Sequence, residues 1–380
     1  MSRKGTEDAL IQRIAKGMPS ATSELQTKAA TARARLLLGI GDDAAAITTD
    51  ERTDLVLSCD AFIEDMHFLA HLHPADSVGY KALVRAASDL AAMGAAPRLW
   101  LLTLALPASR TGAWLDGFIA GMRRAARLLG MRLAGGDTTK AETVAIGITV
   151  VGEMAHGRAV RRDGARPGDA IYTSGVLGRA QLGLELMRRG WAAPGRGARV
   201  RALMQAHLYP RIPIALGAWL AERGVASAMM DISDGLSTDL TRLCKASGVG
   251  AELIASEIPC VEIPARIARE IGGTKRDRLE KGRKIGPQMG LEESRNKTPG
   301  AASDMALNMA LDMALNGGED YELVFTVPRR RMKQLQGAPG FSKLRAIGTI
   351  TASKQIRIVD AKGRSRPLRA RGWDPFGAGD

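Results

Sequence analysis

The feature that most constrains this chain is a recurring pairing of glycine or another small residue with carboxylates, set against apolar runs. It is fullest at Gly39-Ile40-Gly41-Asp42-Asp43-Ala44-Ala45. It returns at Cys59-Asp60, Ser88-Asp89, Gly135-Gly136-Asp137-Thr138, Asp231-Ile232-Ser233-Asp234-Gly235 and Gly317-Gly318-Glu319-Asp320. Any one of these reads as a turn, because Gly, Ser and Asp all favour turns. Six in one chain exceed what turn chemistry needs. Several lie directly beside strand-like apolar runs, where a carboxylate is tolerated only with solvent or a cation. The pattern points to hard cations that carry phosphate, since Mg²⁺ takes oxygen ligands and is held by a few carboxylates together with substrate phosphates.

Strand and helix signals alternate between these clusters. An amphipathic helix is expected over 6–17, with Leu10, Ile11, Ile14 and Ala15 at helical spacing, then a surface loop over 19–35. The run 36–40 then enters the first acidic loop, and a short strand at 54–58 delivers Asp60. A helix over 75–93 is stopped by Gly94-Ala95-Ala96-Pro97. A strand at 100–106, a helix at 114–130, a turn at Gly135-Gly136-Asp137 and a strand at 144–153 complete the first half. Gly, Pro and Arg accumulate near 155–170, and the alternation then resumes. Strands are expected at 170–174, 226–230, 321–327 and 344–350, and helices at 178–189, 212–223 and 236–247. This predicts an α/β (α+β) protein of two domains, 1–155 and 156–380. Residues 261–313 break the pattern and are expected to form a mobile insertion, rich in Lys, Arg and Gly up to about 300. Its end repeats Asp304-Met305-Ala306-Leu307-Asn308 as Asp312-Met313-Ala314-Leu315-Asn316, which predicts helix with methionines in ordinary packing.

The net charge of +14 raises nucleic acid as a partner. The basic residues fall in short separate clusters, however, and aromatics make up only 4% of the chain, so the stacking platform of a single-strand binder is missing. The excess charge reads as a solvated surface that favours polyphosphates. No segment has the roughly 18 uninterrupted apolar residues of a membrane span, so no membrane partner is expected. The first eight residues lack a secretory core, and a cytoplasmic protein is expected. Cys59, Cys244 and Cys260 form neither a disulfide framework nor a CxxC zinc pair. His67, His71 and His73 lack further ligands at metal-binding spacing.

Nine segments occur in a telling order: GIGDDAA at 39–45, the stretch 60–68 ending His67-Phe68, SDLAAMGAAP at 88–97, GGDTTK at 135–140, RDGARPGDAIYTSGVLG at 162–178, DISDGLSTDL at 231–240, GGEDYELVFTV at 317–327, Ile347-Gly348, and the terminal Gly372-Trp373-Asp374-Pro375-Phe376. Together they resemble the thiamine-monophosphate kinase family, of the superfamily that also holds aminoimidazole ribonucleotide synthetase and selenophosphate synthetase. The likeness spans nearly the whole chain except 18–35 and 261–313, and GGEDYEL most separates this family from its relatives.

The resemblance implies an aminoimidazole ribonucleotide synthetase-like fold whose N-terminal mixed sheet pairs across a homodimer, with a C-terminal α/β domain and ATP near the interface. It also implies in-line transfer of phosphate from ATP to thiamine monophosphate, giving thiamine diphosphate, with several Mg²⁺ ions. Carried over by position, the metal residues would be Asp43, Ser58, Cys59, Asp60, Asp89, Asp137, Asp231 and Asp234. Gly136, Asp137, Arg162 and Ser233 would contact ATP, and His67, Glu319 and Trp373 the thiamine phosphate. Two positions depart from the family pattern. A thiol at Cys59 is a poor ligand for a hard cation, so that position would act through its carbonyl. Pro375 replaces a usual histidine.

The chemistry is coherent with the composition. A phosphate nucleophile is already ionised near pH 7, so no strong base is needed, and charge neutralisation and positioning carry the reaction. The phosphate loop GxxxxGKS/T is absent, so nucleotide binding must rest on the acidic sites. Two rivals remain: a related synthetase acting on another acceptor, and a non-catalytic nucleotide or nucleic-acid binder. Nothing before residue 39 supplies the reactive cysteine usual in selenophosphate synthesis, and an idle protein has no use for six metal carboxylates.

Overall fold

The computed structural model describes residues 9, 11–12, 35–49, 52–191, 197–272 and 299–376. The helix expected over 6–17 and the loop over 19–35 fall almost wholly outside them. In the first half, β1 (Arg35–Leu38), β2 (Ala45–Thr48), β3 (Thr53–Ile63), β4 (Ala96–Leu106), β5 (Arg132–Lys140) and β6 (Ala145–Ala155) form one sheet, ordered β1-β2-β3-β6-β4-β5. Only β4 and β5 run parallel, so the sheet is mixed. The pairing of β3 with β6 runs unbroken from Thr53↔Ala155 to Ile63↔Ala145. Alternate residues of β6 are buried, as expected of a sheet with one covered face.

That face is covered by α1 (Ala75–Met93) and α2 (Ala113–Leu129). The two helices cross closely because glycine stands at the contact: a methyl on Gly121 would sit 1.8 Å from the Asp76 carbonyl oxygen. Small and apolar residues leave α1 buried on nearly all sides. It packs on β3 and β6 of the first sheet and also on elements of the second half, so it forms the seam of the molecule.

The second half holds β7 (Ala170–Thr173), β8 (Ala228–Ile232), β9 (Gly250–Ile254), β10 (Glu322–Val327), β11 (Arg345–Thr351), β12 (Ile356–Val359) and β13 (Ser365–Pro367), ordered β13-β12-β9-β11-β7-β10-β8. Its helices are α3 (Arg179–Arg188), α4 (Gly197–Leu208), α5 (Ile214–Arg223), α6 (Leu236–Ser247), α7 (Ala265–Gly272) and α8 (Pro299–Asn316). β8, buried at every residue, and α5 meet α1. Among the described residues no helix is long and apolar enough to cross a membrane.

Two expectations need correction. Gly135-Gly136-Asp137 is not a turn but part of the exposed edge strand β5. Glycine there serves close strand approach, since a methyl on Gly136 would lie 1.9 Å from the Leu102 carbonyl oxygen. The stretch 261–313 is also not one insertion. Within it α7 and α8 pack together, burying Ile267, Ile271, Met309 and Met313 in a third apolar cluster with α3 and α4. The repeat is helical and its methionines pack inward; residues 273–298 lie outside the described residues.

Candidate active site

A cavity of about 1090 Å³ opens between the two sheets. Several pieces of backbone supply its wall. The loop before β2 brings Asp42 and Asp43. β3 brings Ser58 and Asp60, which share a face because they are two residues apart. α1 brings Arg85 and Asp89, with Lys81 one turn back on the same helical face and buried behind the wall. The end of β8 and the turn into α6 bring Asp231, Ser233 and Asp234. The loop before β10 brings Glu319, and Trp373 closes the wall from the C-terminal segment, its N–H donating to the Asp234 carbonyl at 3.1 Å.

At the centre, carboxylate oxygens of Asp43, Asp89 and Asp231 lie within 4.8 Å of one another. Burial, then Asp43, pushes the Asp231 carboxyl up to about 7. Burial, then Asp231 and Asp60, pushes Asp89 well above the usual carboxylate range. The Ser58 hydroxyl donates to Asp89, and that of Ser88 to Asp231 at 2.7 Å. Three desolvated carboxylates at this spacing repel unless a cation or a proton compensates them. An all-oxygen set fits a hard divalent ion.

Around this centre, arginines engage the acidic groups. Arg162 grips Asp43 with two nitrogens, at 3.1 and 2.6 Å. Arg85 lies 3.1 Å from Asp60. Arg242 pairs with Asp234 and, at 3.1 Å, with Asp239. Asp42 serves the turn, accepting the N–H groups of Asp43 and Arg162 at 2.9 and 3.1 Å. Asp239, in the first turn of α6, accepts three successive N–H groups from Ser233 to Gly235 at 3.0–3.1 Å, fixing the loop that carries Ser233 and Asp234.

Elsewhere in the cavity wall, Glu319 faces Lys81 at 2.7 Å. Burial alone would raise its pKa, but Lys81 and His207 outweigh burial and hold it down at about 2. His67 accepts the Ile63 N–H at 3.0 Å, and burial, aided by Arg85, lowers its pKa to about 4, so the ring is neutral.

The structure thus brings Asp43, Ser58, Asp60, His67, Asp89, Arg162, Asp231, Ser233, Asp234, Glu319 and Trp373 to one cavity. It does not bring Gly136 and Asp137 there. Those two stand on β5, three strands from β3, which is roughly 14 Å at ordinary strand spacing. Cys59 lines the cavity, but its thiol lies on the face of β3 opposite Ser58 and Asp60, where Thr149 Oγ1 donates to it at 3.4 Å. Lys81, Arg85, His207, Arg242 and Asp239 were missed by sequence reasoning. A signal existed for the first two: charged residues four apart inside a helix apolar on all sides must face something polar.

The chain matches the family models of the AIR synthase related protein N-terminal domain over residues 41–154 and C-terminal domain over 166–361. The fold is thus that of an AIR synthase related protein with two sheets. It is 34% identical over 342 residues to the thiamine-monophosphate kinase of Escherichia coli (strain K12), covering 89% of this chain and 92% of that one. Among solved structures, one described as AaThiL complexed with AMPPCP and TMP is 28% identical, with a TM-score of 0.73 and 98% of each chain covered. Another, the thiamine-monophosphate kinase from Stenotrophomonas maltophilia K279a, is 31% identical, with a TM-score of 0.64 and 93% and 96% covered. The chain belongs to the thiamine-monophosphate kinase family and is a kinase.

Proposed function

We propose that this chain transfers the γ-phosphoryl group of ATP to the phosphate of thiamine monophosphate, giving thiamine diphosphate and ADP in a Mg²⁺-dependent, in-line reaction. The observation that carries this is the carboxylate centre of Asp43, Asp89 and Asp231 in one cavity that Glu319, His67 and Trp373 also line. A structural neighbour that binds an ATP analogue together with TMP supports it.

A phosphate oxygen of the substrate attacks the γ-phosphorus, and the bond from that phosphorus to the β-bridging oxygen breaks. Because the nucleophile is already ionised, no residue needs to take its proton. Magnesium ions held by Asp43, Asp60, Asp89, Asp231 and Asp234 would screen the repulsion between the two polyanions and clamp attacking and leaving oxygens. Arg162 grips Asp43, and its planar fork would suit a phosphate of ATP were that carboxylate to hold a cation instead. Ser233, held on the loop that Asp239 fixes, contacts the nucleotide. Neutral His67, ionised Glu319 and the Trp373 indole bind the thiamine end, the indole facing a permanently cationic thiazolium.

We further propose that the two halves, 1–155 and 156–380, act as domains and that the protein works as a homodimer in the cytoplasm. The open face of the first sheet carries exposed Leu99, Leu101 and Ile63. Asp137 pairs with Thr103 in the row beside Cys59-Thr149-Leu101, on that same face. A second copy packed there would cover the leucines and bring Asp137 and Gly136 to a partner's nucleotide.

The test is ADP release from ATP with thiamine monophosphate against other phosphate acceptors, with and without Mg²⁺. Release dependent on both thiamine monophosphate and Mg²⁺ is expected. Release driven by another acceptor would point to a related synthetase and contradict the proposal.

A further inference from the structure

Behind Glu319 lies a buried polar network that the reaction above does not use. Lys81 has a side chain only 1% exposed and places Nζ 2.7 Å from Glu319 Oε1. His207 of α4, equally buried, places Nδ1 3.2 Å from Glu319 Oε2. Its Nε2 lies 2.9 Å from Nε2 of His73 and 3.5 Å from Lys81 Nζ.

The protons can be assigned from the partners. Ring Nδ1 of His73 lies 3.2 Å from the Leu69 N–H and 3.0 Å from the Leu69 carbonyl oxygen, so Leu69 alone does not fix its tautomer. Lys81, which can only donate, sets Nζ 3.5 Å from His207 Nε2 and makes that nitrogen the acceptor. His73 then carries its proton on Nε2 and donates it to His207. The proton of His207 falls on Nδ1, which lies 3.2 Å from Glu319 Oε2 in an ion-pair contact without the alignment of a hydrogen bond, and has no hydrogen-bond partner elsewhere among the described residues.

This arrangement is a poor way to gain stability. A buried ion pair replaced by apolar groups often costs nothing. Glu319 itself takes φ of +61°, a conformation that residues other than glycine adopt rarely and mostly where the surroundings enforce it. Both its oxygens are held from behind while a quarter of the side chain remains open to the cavity.

We propose that Lys81 and His207, with His73 orienting the latter, are positioning residues for Glu319. They fix its carboxylate in one orientation and, through Lys81, neutralise its charge in advance. Glu319 therefore meets the substrate as an aimed hydrogen-bond acceptor for an N–H donor, such as the amino group of the pyrimidine, rather than as a counter-ion to the thiazolium. This rests on the assignment of Glu319 to the thiamine end made above.

The test is a double-mutant cycle in the full chain, reading KM for each substrate and Tm. Lys81→Met should raise the KM for thiamine monophosphate at least about tenfold, the scale of a lost charge-assisted hydrogen bond, with the KM for ATP within about twofold. In a Glu319→Ala background the same change should alter that KM by less than about twofold. His207→Asn keeps an N–H near the Nδ1 position and should stay within about threefold of the parent, whereas His207→Leu should match Lys81→Met. The His207 pair decides if Lys81→Met fails to fold. Additive effects in the cycle, equal rises in both KM values, or unchanged KM values with a lowered Tm overturn the positioning role while leaving the kinase assignment standing. A wild-type chain that forms no thiamine diphosphate overturns that assignment, and this inference with it.

Discussion

Asp89 shows what the acidic residues are for. It ends the polar face of α1, accepts the Ser58 hydroxyl, and lies among Asp43, Asp60 and Asp231 with no arginine of its own. Asp89→Asn should lower turnover by ~10²–10³-fold, the cost of removing one preorganised electrostatic group. Its metal-free Tm should be unchanged or higher, because a buried unpaired carboxylate is lost. Unaltered turnover at saturating Mg²⁺ contradicts the metal role. Trp373, half-buried against the Asp234 backbone, is the residue proposed to face the thiazolium. Trp373→Ala should raise the KM for thiamine monophosphate several-fold to about thirtyfold, from a cation–π contact worth about 0.5–2 kcal/mol, with Trp373→Phe between. A lowered Tm with both KM values unchanged would show that the indole only packs the tail. The acidic residues were legible because a carboxylate beside an apolar run needs compensation wherever the chain places it. Their cationic partners were less so: Arg162 was expected at ATP, not on Asp43, and the pairing of Arg162 with Asp43 and of Lys81 with Glu319 joins positions remote in sequence that only the fold brings together.

At the scale of elements, α1 was readable to the residue because its alanine-rich run is closed by Gly94 in the left-handed conformation. The strand β5 was misread for the opposite reason. Its glycines mimic turn chemistry, and every one of its residues is exposed, so no alternation marks it. Short strands such as β2, β12 and β13 carry too few residues to show a period. The close pairing of β5 with β4 can be tested at Gly136. A methyl there meets backbone rather than a flexible side chain, so Gly136→Ala should cost about 1–3 kcal/mol and lower Tm. If the edge strand also serves a partner's nucleotide site, turnover falls with it. A variant with normal Tm and turnover would contradict the observed strand approach.

For the whole molecule, the buried carboxylates tie stability to pH and metal. The Asp231 pKa is raised to about 7 from an ordinary 3.8 and that of Asp42 to about 6, both first by burial and then by Asp43. A raised carboxylate contributes stability that is complete below about pH 3.8 and is lost as pH climbs through the folded value. Over about pH 4–7 the metal-free protein should therefore lose the contribution of Asp231, and Asp231→Asn should flatten that slope in thermal melts. Because cations bind the deprotonated groups, the Tm gain from Mg²⁺ should grow from pH 5 to pH 8. A gain independent of pH would contradict binding at this centre. The measurement that bears most directly on the central claim is thiamine diphosphate formation from ATP and thiamine monophosphate by the purified chain, followed against Mg²⁺ concentration with Asp89→Asn alongside. The account predicts product that rises from nothing as Mg²⁺ is added and is nearly abolished in the variant. Product formed equally well in excess chelator, or by the variant at the wild-type rate, would contradict it.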